Sequence, residues 1–358
     1  MKLIYAYNNF LKDQSLKSTF EDINIFKEFY KMDADSWLVD RTGTFTLPWH
    51  TKILDQCKFV EPGPVYDFNT ASVNTAKMFL EKDQPLILMW SGGIDSTAMV
   101  TAFLQSTNDY SNITIAFNSD SIREYPLFYK NFICGKVKGM STEELILRIT
   151  TSGVGNSLLL SAEHADQLFG SPMVSTIYRT LGPEFGGQPF NKENFRRLLS
   201  ARGMSDRAID CWFDVYSITM TKSPKPILTM FNFAWWHGFN FKWQVGVVKT
   251  FPRFNSDTNY TTFFSAPDFQ RWSMDQTFAM EDMTSLKAIP KQFIFEFTND
   301  RDYVNHKIKH PSSTLYYAKP AATLVTEDMT RFNEGQADIM DYYNPDNFIA
   351  NWIKTHLT

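Results

Sequence analysis

The chain has 358 residues, 43% of them hydrophobic, with 35 Lys and Arg against 39 Asp and Glu, a formal net charge of −4 at pH 7. That length and apolar content can bury a large core, arranged as one large domain with an appendage or as two modest ones. The near-neutral balance argues against a chain dominated by nonspecific nucleic-acid binding; no apolar run approaches the ~20 residues of a membrane helix, and Met1-Lys2-Leu3-Ile4 opens no signal peptide, so a cytoplasmic location is expected.

Residues 1–64 read as a small α+β element without a recognisable role: 20–30 carry a helical apolar period, and 37–45, with Gly43, a strand-like one. Glu61-Pro62-Gly63-Pro64 is the clearest linker, which places a larger domain over 65–358. Residues 73–80 predict a helix. The apolar run from Leu86 to Trp90 is too short for a helix and is best explained as a buried parallel strand. It breaks at Ser91-Gly92-Gly93, where the glycines permit positive φ and let backbone N–H groups approach an anion, while Ser91, Ser96 and Thr97 offer hydroxyls. Residues 95–105 then place Met99, Val100, Phe103 and Leu104 at helical spacing. The turn therefore sits at a helix N-terminus, whose dipole and free N–H groups favour phosphate. Asp95 stands where a carboxylate can hold Mg²⁺ against such phosphates.

Ile113-Thr114-Ile115-Ala116-Phe117, ending at Asn118-Ser119-Asp120-Ser121, predicts a second strand and its turn. A third apolar run, Leu158-Leu159-Leu160, continues as Ser161-Ala162-Glu163-His164-Ala165-Asp166-Gln167-Leu168-Phe169-Gly170 and brings two more carboxylates to a strand end. Parallel strands open such ends on one crevice where the strand order reverses. From Tyr178 onward the pattern is mostly helical, with Asn191 and Ser205 as N-cap candidates for 191–199 and 205–215. The aromatics of 231–243 lack an interleaved Lys/Arg cluster and read as helical core rather than a base-stacking surface, with His237 packed among them. Asp268 reads as an N-cap for the helix that follows it, and 302–309 as a helix carrying Lys307. Cys57, Cys134 and Cys211 are isolated, which argues against a structural zinc site.

Ser91-Gly92-Gly93-Ile94-Asp95-Ser96 resembles the SGGxDS signature of the PP-loop (N-type) ATP pyrophosphatases, which split ATP between its α and β phosphates. The stretch from Ser161 to Gly170 resembles the SGEGADELFGG segment of asparagine synthetases. It agrees at Ser161, Glu163, Ala165, Asp166, Leu168, Phe169 and Gly170 and departs at Ala162, His164 and Gln167, where that family has Gly, Gly and Glu. The resemblance implies ATP and Mg²⁺ as cofactors. It assigns the nucleotide to Ser91, Gly92, Gly93, Ile94, Asp95, Ser96 and Thr97, with Ala116 and Phe117 at the adenine, and the metal to Asp95 and Asp166. Glu163 would orient the substrate or a metal-bound water, and a lysine, here Lys307, would stabilise charge on the α-phosphate. Lys287, Lys291, Arg301 and Lys309 compete for that last role. A family stretch ending in Pro-Phe-Leu-Asp is echoed at 263–272 only through Asp268. The acidic residue and Arg that precede it fall on Thr261 and Phe263, so the family's amino-acid pocket is not reproduced.

The expected fold is α/β: a doubly wound parallel sheet of about five strands, of the PP-loop (HUP-like, adenine nucleotide α-hydrolase-like) kind, with a mostly helical C-terminal portion and the small N-terminal element. The expected activity is an AMP-forming ligase, in which a substrate carboxylate attacks the α-phosphorus, pyrophosphate leaves, and ammonia or an amine displaces AMP. Position 2 is Lys2 rather than the nucleophilic Cys that opens the glutaminase domain of asparagine synthetases, and such a domain does not fit before Ser91. Nitrogen is therefore expected from free ammonia, a substrate amine or a separate amine-donor protein. Two alternatives stay open: a PP-loop enzyme modifying a nucleobase or nucleic acid, and a nucleotide-binding module without catalysis, to which Gln167, Thr261 and Phe263 lend weight. The lack of clustered cysteines counts against the thiolating and deazaguanine-nucleoside branches of the superfamily.

Overall fold

The computed structural model describes residues 2–6, 25, 28, 38–45, 49, 51–248, 259–276, 287–307, 324–333, 336–337 and 339–342. Among them run eight strands: β1 (Leu3–Ala6), β2 (Leu86–Met89), β3 (Ile113–Phe117), β4 (Lys138–Ser141), β5 (Leu158–Ser161), β6 (Tyr260–Thr262), β7 (Leu324–Thr326) and β8 (Arg331–Phe332). β2 to β6 form one all-parallel sheet in the order β4-β3-β2-β5-β6, with Leu88 between Ile115 and Leu160. The chain moves outward from β2 to β4, then crosses back to β5 and β6. Strand order thus reverses between β2 and β5, an α/β arrangement compatible with a doubly wound, Rossmann-like fold.

The apolar runs become central strands because both faces of the sheet are covered. Leu86 and Leu88 enter one apolar layer with Ala98, Met99 and Phe103, whereas Ile87 enters another with Leu145, Ile149 and Leu159. Helix α1 (Phe68–Leu80) begins five residues before the sequence period suggests, because the Asp67 carboxylate accepts the Thr70 N–H at 2.8 Å and caps it. Helix α2 (Ile94–Ser106) is buried on nearly every side, packed against α1 and α11 (Ala288–Thr298). The caps at Asn191 and Ser205 form as expected, starting helices Lys192–Ser200 and Asp206–Met220. The aromatic block folds as helix Met230–Trp236 and a π-turn, His237–Phe241, with Phe233, Trp235, Trp236 and Phe239 wholly buried and His237 Nδ1 2.5 Å from Tyr216 Oη.

Four expectations are corrected. Residues 38–45 form a turn, not a strand: the Asp40 carboxylate accepts the N–H groups of Thr42 (3.0 Å) and Phe45 (2.7 Å), side-chain bonds that replace a ladder. Asp268 does not cap helix α10 (Pro267–Asp275); Pro267 takes the first helical position, so Asp268 falls inside the first turn and pairs with Arg271 at 3.2 Å. The helix read over 302–309 is α12 (Arg301–His306), capped by Asp300 and ended at Lys307. The C-terminal portion also contributes strands: β1 pairs antiparallel with β7, and β7 with β8. β1, β7 and β8 are two to four residues long, and β1 finds its partner β7 far along the chain, which local patterning does not report. The 20–30 period lies outside the described residues except for Ile25 and Glu28.

The turn at Asp40 is held against the π-turn, whose geometry releases carbonyls from helical bonding. Val39 N–H donates to Phe241 O at 3.0 Å and Arg41 Nη1 to Phe239 O at 2.8 Å. The same guanidinium reaches Cys57 O, Lys58 O and Gln270 Oε1 and lies over the Trp243 ring at 4.4 Å. Among the described residues no helix is long and apolar enough to cross a membrane.

Candidate functional site

β2 ends at Met89, and Trp90 N–H still donates to Ala116 O at 2.9 Å before the chain turns. Gly92 then adopts φ +76, and a Cβ there would stand 2.3 Å from the Ser121 carbonyl oxygen and 2.7 Å from Glu124 Cβ. Only glycine satisfies both the left-handed backbone and this close approach of the loop to α3 (Ser119–Glu124). The loop hydroxyls tie to one another: Ser91 N–H donates to Ser96 Oγ at 3.0 Å, and the two Oγ atoms lie 2.9 Å apart. Gly93 is the N-cap of α2 and supplies no side-chain acceptor. The first-turn N–H groups around Ile94 therefore lack the side-chain cap that closes α1, which suits an anion. Thr97 points the other way, wholly buried, with its hydroxyl accepting the Trp90 indole N–H at 3.0 Å.

Asp95 lies in the first turn of α2, and Asp166 in the first turn of the short α5 (Ala165–Phe169) that follows β5. They flank the point where strand order reverses, and both reach one cation. Lys287 Nζ donates to both oxygens of Asp95 and, at 2.6 Å, to Asp166 Oδ1. The lysine side chain is fully buried, whereas Asp95 and Asp166 remain 24% and 34% exposed. Burial by itself pulls the Lys287 pKa down, but the Asp166 and Asp95 charges and hydrogen bonds outweigh it, and the pKa rises above its usual value.

His164 occupies φ +74, a left-handed conformation at a position where the resembling segment has Gly. Its ring compensates for the strain with two buried bonds, Nδ1 to Thr262 Oγ1 at 2.6 Å and Nε2 to Trp243 O at 2.8 Å, and Gly246 leaves it room. Because a carbonyl only accepts, Nε2 carries the proton and Nδ1 accepts from the threonine. Burial lowers the imidazole pKa to about 3, so the ring is neutral. Beside it Glu163 is half-buried, its N–H donating to Ser161 Oγ at 3.3 Å, and that hydroxyl lies 2.7 Å from Tyr260 Oη. Tyr260 and Thr262 of β6 thus brace the turn that carries Glu163, His164 and Asp166.

No family model matches this chain, and no curated protein matches it.

Of the residues expected at the site, Ser91, Gly92, Gly93, Ile94, Asp95 and Ser96 form the loop, and Asp166 joins Asp95 through Lys287. Ala116 and Phe117 end β3 beside them; Ala116 is buried, and the Phe117 ring packs against Tyr129 and Trp90. Lys307 reaches the loop's other flank, where it pairs with Glu124, the residue against which Gly92 packs. Lys291 is buried within α11, Arg301 lies over the Phe295 ring at 5.5 Å, and Lys309 is outside the described residues.

Two residues escaped the sequence reading. Tyr303 stacks on Tyr125 at 4.1 Å, with its hydroxyl buried beside Thr97 and close enough to Asp95 to feel its charge. Glu124 carried no signal beyond its place after a strand-end turn. Tyr303 and Lys307 do stand four apart, a spacing that puts both on one helix face.

Among the described residues no cluster of three or more His, Cys, Asp or Glu could enclose a metal. Two carboxylates converging on one point suit Mg²⁺, a cation that usually keeps several waters and could take further ligands from phosphate.

Proposed function

We propose that this chain is an ATP-dependent, AMP-forming ligase that adenylates a substrate carboxylate, releases pyrophosphate and transfers the acyl group to ammonia or an amine. The observation that carries this reading is the meeting of Asp95 and Asp166 across the strand-order reversal, beside a helix N-terminus left without a side-chain cap. On this reading the parallel sheet is that of a PP-loop, HUP-like domain. Ser91, Ser96 and the backbone N–H groups of Gly92, Gly93 and Ile94 receive the pyrophosphate. Ala116 and Phe117 border the adenine. Asp95 and Asp166 hold Mg²⁺, which would neutralise charge on the phosphate chain. Lys307 brings a positive charge to the loop, and Glu163, at the rim, orients the incoming carboxylate or amine. The substrate carboxylate is itself the nucleophile, so catalysis rests on positioning and on compensation of developing charge. Thr261 and Phe263 supply no charged clamp, which favours an acyl substrate other than a free amino acid.

One observation favours a second reading, nucleotide binding without turnover: both carboxylates already have an ammonium partner in Lys287. ATP–pyrophosphate exchange, screened across carboxylates with ammonia and simple amines as acceptors, separates the two. Exchange by the wild-type protein that falls by roughly a hundredfold or more in Asp95→Ala and in Asp166→Ala supports the ligase. Full exchange in both variants sinks the metal assignment, and ATP binding with no pyrophosphate release selects the second reading. Turnover only on addition of RNA or DNA would move the substrate to nucleic acid.

A further inference from the structure

Lys287 is buried, whereas the two carboxylates it bonds remain partly exposed. Asp95 comes from the helix after β2 and Asp166 from the helix after β5, so no shared element fixes their separation. Two like charges brought together from independent elements repel, and only a cation between them makes the approach favourable. Lys287 supplies it at some conformational cost: its backbone is left-handed at φ +60, unusual for a side chain of this kind, and it immediately precedes the first residue of α11, with Lys291 N–H donating to its carbonyl at 3.2 Å. The packing of α11 against α2 delivers the ammonium to the buried side of the pair, while both carboxylates remain partly exposed.

We propose that Lys287 is a positioning residue that clamps Asp95 and Asp166 from behind and cancels one of their two charges, so that a divalent cation binds there only together with a phosphate chain. The inference rests on the metal pair of the ligase reading but not on turnover. With the ammonium in place the three groups sum to one negative charge, a weak seat for a bare dication that must also face the neighbouring ammonium. A bound di- or triphosphate adds the missing negative charge and the missing oxygen ligands. Nucleotide and metal then enter as one unit, and the carboxylate pair by itself does not collect metal.

Manganese(II) alone is the probe, with free Mn²⁺ followed by electron paramagnetic resonance over the full-length protein. Wild type should bind it weakly. K287Q, and K287M, which keeps the buried stem, should bind it roughly tenfold or more tightly; K287R should stay close to wild type. Adding Asp95→Asn to K287M should return the affinity to the wild-type level, which assigns the gain to this pair. Unchanged or weaker Mn²⁺ binding in a K287Q or K287M protein whose circular dichroism matches wild type would overturn the proposal. So would tight Mn²⁺ binding by wild type without nucleotide. A gain in Mn²⁺ affinity beside absent ATP–pyrophosphate exchange would retire the ligase reading and leave the clamp standing; exchange with no gain would do the reverse.

Discussion

His164 offers the sharpest test of how the crevice is held together. Its imidazole is buried and neutral, with a pKa pushed from the ordinary 6.5 to about 3 by loss of solvent. An unfolded chain can take up the proton that the folded one refuses, so the contribution is complete above pH 6.5 and erodes as the pH falls from 6.5 toward 3. A gap of about 3.5 units at ~1.4 kcal/mol each sets an upper bound of about 5 kcal/mol over that range, and about 2 kcal/mol is already lost at pH 5. His164→Asn removes the titration while tolerating the left-handed backbone. The variant should be less stable than wild type at pH 7.5 by roughly 1–3 kcal/mol, because Trp243 O and Thr262 Oγ1 lose their partner. Urea unfolding followed by tryptophan fluorescence from pH 7.5 to 4.5 should then show the two stabilities converging, by about 2 kcal/mol at pH 5. Parallel curves for the two proteins would refute the reasoning.

Gly92→Ala should destabilise the protein and, on the ligase proposal, weaken pyrophosphate binding, since the new methyl meets the Ser121 carbonyl at 2.3 Å and the left-handed backbone costs roughly 1–2 kcal/mol more. Gly135→Ala, left-handed but in open space, should cost only the backbone part, and thermal melts of the two compare directly. Tyr303→Phe keeps the stack on Tyr125 and removes a buried hydroxyl that makes no well-formed hydrogen bond to its neighbour Thr97, so its stability should equal wild type or exceed it by up to about 1 kcal/mol. A clear loss in the same melts would reveal a bond that the hydroxyl makes.

The strand, loop and helix around Ser91 were legible because their signals are local: an apolar run of strand length, two glycines, and apolar residues at helical spacing. The turn after β5 was legible for the same reason, as were the caps at Asn191 and Ser205. Lys287 was one cation among several in the sequence, and nothing nearby in the chain distinguishes it. Its contact with Asp95 depends on α11 lying across α2, a tertiary event between residues 192 positions apart. His164 did leave a trace, a bulky residue where the resembling segment has glycine, but its partners come from Trp243 and Thr262, far along the chain. The turn at Asp40 was misread because its β-branched and aromatic neighbours imitate a strand, whereas the Asp40 carboxylate offers those N–H groups a closer acceptor.

The pairing of β1 with β7 has a consequence in time. Lys2 N–H donates to Glu327 Oε1 across 325 positions, and Ala6 lies opposite Leu324. At about 5–20 residues per second, a ribosome needs roughly 15–65 s to supply that partner after the first strand emerges. Until then the edge of β1 that faces β7 is unpaired, open to any other nascent strand. A provisional partner arrives much sooner: Leu3 bridges Thr51, and Lys52 N–H donates to Leu3 O at 2.8 Å. The segment near residue 51 can thus shelter one edge of β1 while the parallel sheet is still being synthesised, and the last strands close the other.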